Sequence, residues 1–90
     1  MEATVECVII NKYGFHARPS TSFSALASSF QSNIIVSANG SEVDGKSIMG
    51  LMSLGAPSGT KITITANGKD AQQAVDALRE HVDSRFGGIE

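Results

Sequence analysis

Strand-like and helix-like periods alternate along this chain, and the pattern predicts an α+β fold. The expected architecture is an open-faced two-layer sandwich in the order βαββαβα, a four-stranded, mostly antiparallel sheet with three helices on one face. Three observations carry the expectation. Lys61-Ile62-Thr63-Ile64-Thr65 alternates residue by residue, and Thr4 to Ile10 is β-branched with Val5, Cys7 and Ile9 on one face. Phe23, Leu26, Ala27 and Phe30 recur at helical spacing, as do Ala71, Ala74, Val75, Leu78 and Val82. Asn39-Gly40 separates two strand-like runs with the residues that accept the positive φ of a type I′ turn. With 90 residues, the chain has room for one domain (1–90) and one core.

Taken in order, the first strand covers about Thr4 to Ile10, and Cys7 within it reads as a small buried residue. The loop Asn11-Lys12-Tyr13-Gly14 leads to a helix that starts at or just after His16, because Pro19 fits the first turn, where an N–H has no partner anyway. Ile34-Ile35-Val36 is the second strand, and a short return follows Asn39-Gly40 over Ser41 to Val43. Ser47 is placed to cap a second helix over about Ile48 to Ser53, which Gly50 weakens and Gly55 closes. Ala56-Pro57-Ser58-Gly59 suits a type I turn with Pro second. The strand from Lys61 to Thr65 follows. Asp70 and Gln73 then form a capping-box pair for the third helix, which Gly87-Gly88 ends.

Composition narrows the function. A net charge of −2, with Lys12, Lys46 and Lys61 scattered, leaves no basic stripe for nucleic acid. A single cysteine excludes an internal disulfide framework and any multi-cysteine metal site, so no metal or cofactor is expected. The start, MEATVECVII, is not a signal peptide, and no run approaches the ~20 apolar residues of a membrane span. A reduced, cytoplasmic location is the expectation. So small a core leaves no deep cleft, so chemistry belongs on an open surface that a partner completes. A stand-alone enzyme is not expected: there is no second catalytic base placed by sequence and no glycine-rich nucleotide loop.

The chemistry concentrates at His16. It sits where a loop meets a helix N-terminus, whose free N–H groups and positive dipole end favour an anion. Gly14 lets the backbone turn tightly, and Arg18 offers a planar donor fork for phosphate oxygens. No acidic residue is near in sequence. Imidazole titrates near neutrality and is a competent nucleophile. His81, in contrast, lies beside the apolar stripe of the third helix and reads as structural, while Asp70 and Asp76 read as cap and solvated surface.

The string Gly14-Phe15-His16-Ala17-Arg18-Pro19 resembles the active-site signature of the HPr family, the histidine-containing phosphocarriers of the phosphoenolpyruvate-dependent phosphotransferase system. Lys46-Ser47-Ile48-Met49-Gly50-Leu51-Met52-Ser53-Leu54-Gly55 is similar to that family's regulatory segment. The resemblance implies that His16 accepts a phosphoryl group on Nδ1 from phosphorylated enzyme I and passes it to enzyme IIA domains, with Arg18 steadying it. It implies that Ser47 is the target of an ATP-dependent kinase/phosphorylase. It also implies a docking surface of Phe15, Ala17, Thr21, Ile48, Met49 and Met52, with Phe23 at its border, while helical spacing makes Leu51 and Leu54 the core-facing residues of the second helix. A monomer is the expected state. The alternative is a regulatory binding module of the same fold, acting mainly through Ser47 and docking to a transcription regulator. Phe15 and Ser20 depart from the residues more usual in the family, and the turn at Ala56-Pro57-Ser58 lacks a basic residue often found there.

Overall fold

The computed structural model describes every residue from Met1 to Glu90. Its elements are β1 (Glu2–Val8), α1 (Ala17–Ser28), β2 (Asn33–Ala38), β3 (Ser41–Asp44), α2 (Ile48–Leu54), β4 (Lys61–Asn67), α3 (Ala71–Asp83) and a short turn, α4 (Arg85–Gly88). The strands form one sheet in the order β1-β4-β2-β3, with every neighbouring pair antiparallel. The helices pack on one face, as expected for the two-layer sandwich. Ala3, Cys7, Ile34, Val36, Ile62, Ile64 and Ala66 point into that layer, against Phe23 and Ala27 of α1, Leu51 of α2, and Ala74, Val75, Leu78 and Val82 of α3. The opposite face is open and mostly polar, carrying Thr4, Glu6, Lys61, Thr63 and Thr65.

Burial also sets the state of Cys7: desolvation, with help from the nearby Asp83 charge, pushes its thiol up to about 11. β1 runs earlier than the sequence pattern suggested. Ile9 still exchanges bonds with the Gly59–Thr60 turn (Ile9 N–H to Thr60 O, 2.9 Å; Gly59 N–H to Ile9 O, 2.7 Å), but Ile10 turns away. The hairpin is as expected: Asn39 and Gly40 have φ of 52° and 82°.

Further local expectations need correction. The turn before β4 is shifted by one residue: the closing bond runs from Thr60 N–H to Pro57 O (3.0 Å), which puts Pro57 first. Gly59, third in that turn with φ 95°, fits type II rather than type I. Asp70 stands at the N-cap of α3 but makes no capping bond there. Its carboxylate instead accepts from Ser32 Oγ (2.6 Å), Ser32 N–H (3.0 Å) and Gln31 N–H (2.8 Å), fastening the α1–β2 loop to the start of α3. The Ser32 hydroxyl first, and the Gln31 N–H after it, hold this carboxyl below its ordinary value.

The third helix ends at Asp83, short of the Gly87-Gly88 expected to stop it. The chain then coils in the left-handed sense, with φ of 56°, 55°, 83° and 104° at Arg85, Phe86, Gly87 and Gly88. Left-handed backbone costs a non-glycine residue about 1–2 kcal/mol. Arg85 and Phe86 both bear it, and burial of the Phe86 ring, worth roughly 1.5–3 kcal/mol, offsets much of the total. The ring is 2% exposed and meets Phe15 at 5.4 Å and Phe23 at 6.5 Å between centroids.

Candidate functional site

His16 is the N-cap residue of α1, with extended backbone (φ −74°, ψ −173°) and no capping bond from its side chain. Its carbonyl accepts the first helical bond, from Ser20 N–H (3.0 Å). The Ala17 and Arg18 N–H groups have no acceptor within the chain, and Pro19 has no N–H to offer. The first turn contains no acidic residue. Two free donors and the positive end of a 12-residue helix therefore converge beside a half-buried imidazole. Arg18 is exposed and forms no ion pair, so its guanidinium is available. The edge of the Tyr13 ring meets the His16 ring at 5.8 Å, and Lys12 Nζ lies 5.2 Å over Tyr13, adding a second cation to this end of the molecule.

The loop that presents His16 is held from behind. Phe15 N–H donates to Gly55 O (3.1 Å), and the buried Ser20 hydroxyl donates to Phe15 O (2.9 Å). Gly14, with φ 58°, lies directly against the Gly55–Ala56 backbone: a Cβ there would fall 2.0 Å from Ala56 O and 2.5 Å from Gly55 O. Only glycine permits both that conformation and that approach. Asn11 is fully buried and donates from Nδ2 to Gly14 O (2.9 Å) and Glu90 O (3.1 Å).

Sequence spacing could not anticipate Glu90. Its main-chain oxygen lies 3.0 Å from His16 Nε2, although the two residues are 74 positions apart in the chain. Asn11 and Ser20 were likewise missed as supports. Nothing in the spacing of a loop Asn separates a clamp from an ordinary turn residue, and Ser20 was legible only as a departure from the family pattern.

The residues expected to form a docking surface differ in exposure. Met49 is 82% exposed, Met52 and Ile48 are exposed to 45% and 40%, and Ala17 and Thr21 are exposed on α1. Phe15 is not part of it: 1% exposed, it packs edge-on against Phe23 at 5.5 Å, because an aromatic ring next to Gly14 turns inward to join the core. Phe23, expected at the border, is wholly buried. Leu51 faces the core and Leu54 is partly buried against it.

Ser47 caps α2, its hydroxyl oxygen accepting from Gly50 N–H (2.9 Å), and remains partly exposed. The preceding residue ties this corner to α1, with Lys46 O accepting from Ser24 Oγ (2.7 Å) and Lys46 Nζ donating to Phe30 O (2.9 Å). His81 lies apart from this chemistry. It pairs with Ser22 Oγ at 2.7 Å between α1 and α3, and burial lowers its pKa from the ordinary imidazole value.

Surface depressions of about 690 and 450 Å³ sit on the sheet, and no residue of the His16 loop lines either. No group of three or more His, Cys, Asp or Glu side chains is arranged to hold a metal ion. No helix is long and apolar enough to cross a membrane. The arrangement can seat a small tetrahedral anion on a half-buried imidazole and can present it to a second macromolecule.

The family model described as "PTS HPr component phosphorylation site" matches residues 3–84. The chain is 46% identical over 82 residues to the phosphocarrier protein HPr of Cupriavidus necator, covering 91% of this chain and 92% of that one. A crystal structure of HPr-C-His from Thermoanaerobacter tengcongensis superposes with a TM-score of 0.92 at 41% identity, covering 98% and 99% of the two chains. An HPr dimer from the same organism aligns with a TM-score of 0.77 at 43% identity, over 93% and 97%. Likeness to solved structures therefore does not single out a monomer.

Proposed function

The chain belongs to the HPr family of phosphocarrier proteins, and from that premise we propose that His16 takes a phosphoryl group from phosphorylated enzyme I and hands it to enzyme IIA domains. In each transfer the bond from phosphorus to the donor breaks as the bond to His16 Nδ1 forms, or the reverse, with the three equatorial oxygens bearing the charge. The free Ala17 and Arg18 N–H groups and the Arg18 guanidinium meet those oxygens. Catalysis is then positioning and charge, shared with the partner, so the protein acts as a covalent carrier and not as an independent catalyst. The observation that carries this reading is the nucleophilic ring at a helix N-terminus whose first two donors are free. Phosphoenolpyruvate and enzyme I, followed by intact mass, test it. Acid-labile phosphate on the native chain and none on His16→Ala supports the carrier. No uptake on the native chain defeats it.

The same proposal places the protein in the cytoplasm, with Ala17, Thr21, Ile48, Met49 and Met52 as the docking surface. The monomer is the transferring species, because one loop must face two partners in turn. Ser47 is its regulatory site for an ATP-dependent kinase/phosphorylase. A phosphate at that cap is compatible with the α2 N-terminus but puts negative charge on the docking face. Phospho-Ser47 then slows His16 phosphorylation by enzyme I, and equal rates for the two forms would refute this.

A further inference from the structure

The two helices that flank His16 are almost without charge. Of the 12 residues of α1 and the 7 of α2, Arg18 alone is ionic. The 9 acidic residues lie on β1, on β3, along α3 with its N-cap Asp70, and at Glu90. Lys46 precedes α2, but its Nζ donates to Phe30 O at 2.9 Å, which engages the ammonium at the C-terminal end of α1. Between these charges, α1 and α2 pack side by side. They expose Met49 (82%), Met52 (45%) and Ile48 (40%) on α2, next to Ala17, Thr21 and Ala25 at four-residue intervals on α1.

We infer that the surface of the phosphoryl donor that receives α1 and α2 is apolar and uncharged, so that burial and shape, not charge pairing, select this protein's partner. The inference deepens the carrier reading above and rests on it. Arg18 is committed to the phosphoryl oxygens and leaves no cation on these helices to pair with an acidic partner. A charged group brought against Met49 would lose water and meet no opposite charge, which is costly. Electrostatic steering needs a field on both partners, and this face supplies none beyond the anion seat. Methionine side chains fit an apolar recess, because they are flexible and polarizable.

The sign of an added charge tests this. Met49→Lys and Met49→Glu sit at an exposed position, and their amide spectra verify the fold. Both are expected to lower kcat/KM for phosphorylation by enzyme I on the order of tenfold, within about threefold of each other. A lysine variant as fast as the native chain beside a slow glutamate variant shows an acidic partner surface and overturns the inference, as does the reverse pattern. Gln73→Lys and Gln73→Glu, on α3 and outside this surface, are expected to match the native rate. Losses there equal to those at Met49 would trace the effect to net charge and overturn it too. For the native chain, kcat/KM should change less than about threefold between roughly 0.05 and 0.5 M salt, where screening removes steering between exposed charges. A tenfold fall refutes the uncharged contact. Sedimentation of the native chain as a dimer that both Met49 variants break would show that a second copy covers this face, against the inference. No phosphorylation of the native chain at any salt defeats the carrier reading and this inference with it, whereas transfer that depends on charge sign or salt defeats this inference alone.

Discussion

Gly14→Ala is the sharpest single perturbation of this structure. The added Cβ would stand 2.0 Å from Ala56 O, 2.6 Å from Ala56 C and 2.5 Å from Gly55 O. All three are backbone atoms, so no rotamer change relieves the clash. The backbone opposite is itself pinned: Ala56 is fully buried, and Gly55 O accepts from Phe15 N–H at 3.1 Å. Two costs add. Forcing a side chain into left-handed φ costs about 1–2 kcal/mol, and moving a packed backbone segment costs about 1–3 kcal/mol more. A loss of roughly 3 kcal/mol lowers the melting temperature of a domain this size by about 12–24 °C. Urea denaturation and thermal melting followed by circular dichroism give the number. Gly40→Ala is the control, since Gly40 also has positive φ (82°) but nothing within 4 Å of its Cβ position. It should lose only the conformational cost. Equal losses for the two variants would show that the close approach of residues 14 and 55–56 contributes nothing, and the account of how the His16 loop is supported would fall.

Asp70→Asn should destabilise the fold at neutral pH and flatten its acid limb. The native carboxyl titrates below its unfolded value, so its contribution is complete above the unfolded carboxylate range and is lost as pH falls through the folded value. Unchanged acid unfolding of the variant would remove Asp70 from that role. Cys7, with its thiol raised to about 11 and buried, should resist a thiol reagent at neutral pH until denaturant unfolds the chain, and rapid labelling of the native protein would contradict its placement. Met49→Gln should leave stability within about 0.5 kcal/mol of the parent, as for an exposed site, yet slow phosphoryl exchange with enzyme I. An unaltered rate would exclude Met49 from the docking surface.

Legibility in the sequence tracked the range of the interaction. Asn39-Gly40, the stripe on α3 and the Ser47 cap are decided within a few residues, and each is found as read. The α+β order followed from those local periods. Asp70 was misassigned because an Asp before a helix has a local partner available in principle, whereas its actual donors at Gln31 and Ser32 lie 39 and 38 positions away. Phe15 was placed on the surface because its neighbours in the motif are there. The tertiary fact that overrules this is Phe86, whose ring the chain returns to Phe15 by a left-handed turn with no periodic signal. His16, Ala17 and Arg18 were legible as a group because an imidazole, a helix start and a guanidinium stand within three positions. The contact of the His16 ring with Glu90 was not, since a main-chain oxygen has no sequence identity at all.

The strand order has a consequence for how this protein is made. β1 has one neighbour in the sheet, β4, paired from Glu2 with Asn67 to Val8 with Lys61. A nascent chain therefore carries its first strand unpaired until more than half of the sequence has left the ribosome, and the His16 loop behind it waits longer still for Glu90. Hairpin β2–β3 can form early, but the half of the sheet that supports His16 closes only through contacts of long sequence separation, which form slowly. Phosphoryl-accepting competence should thus arise as a late, concerted event after synthesis, with little activity in chains arrested before the final turn.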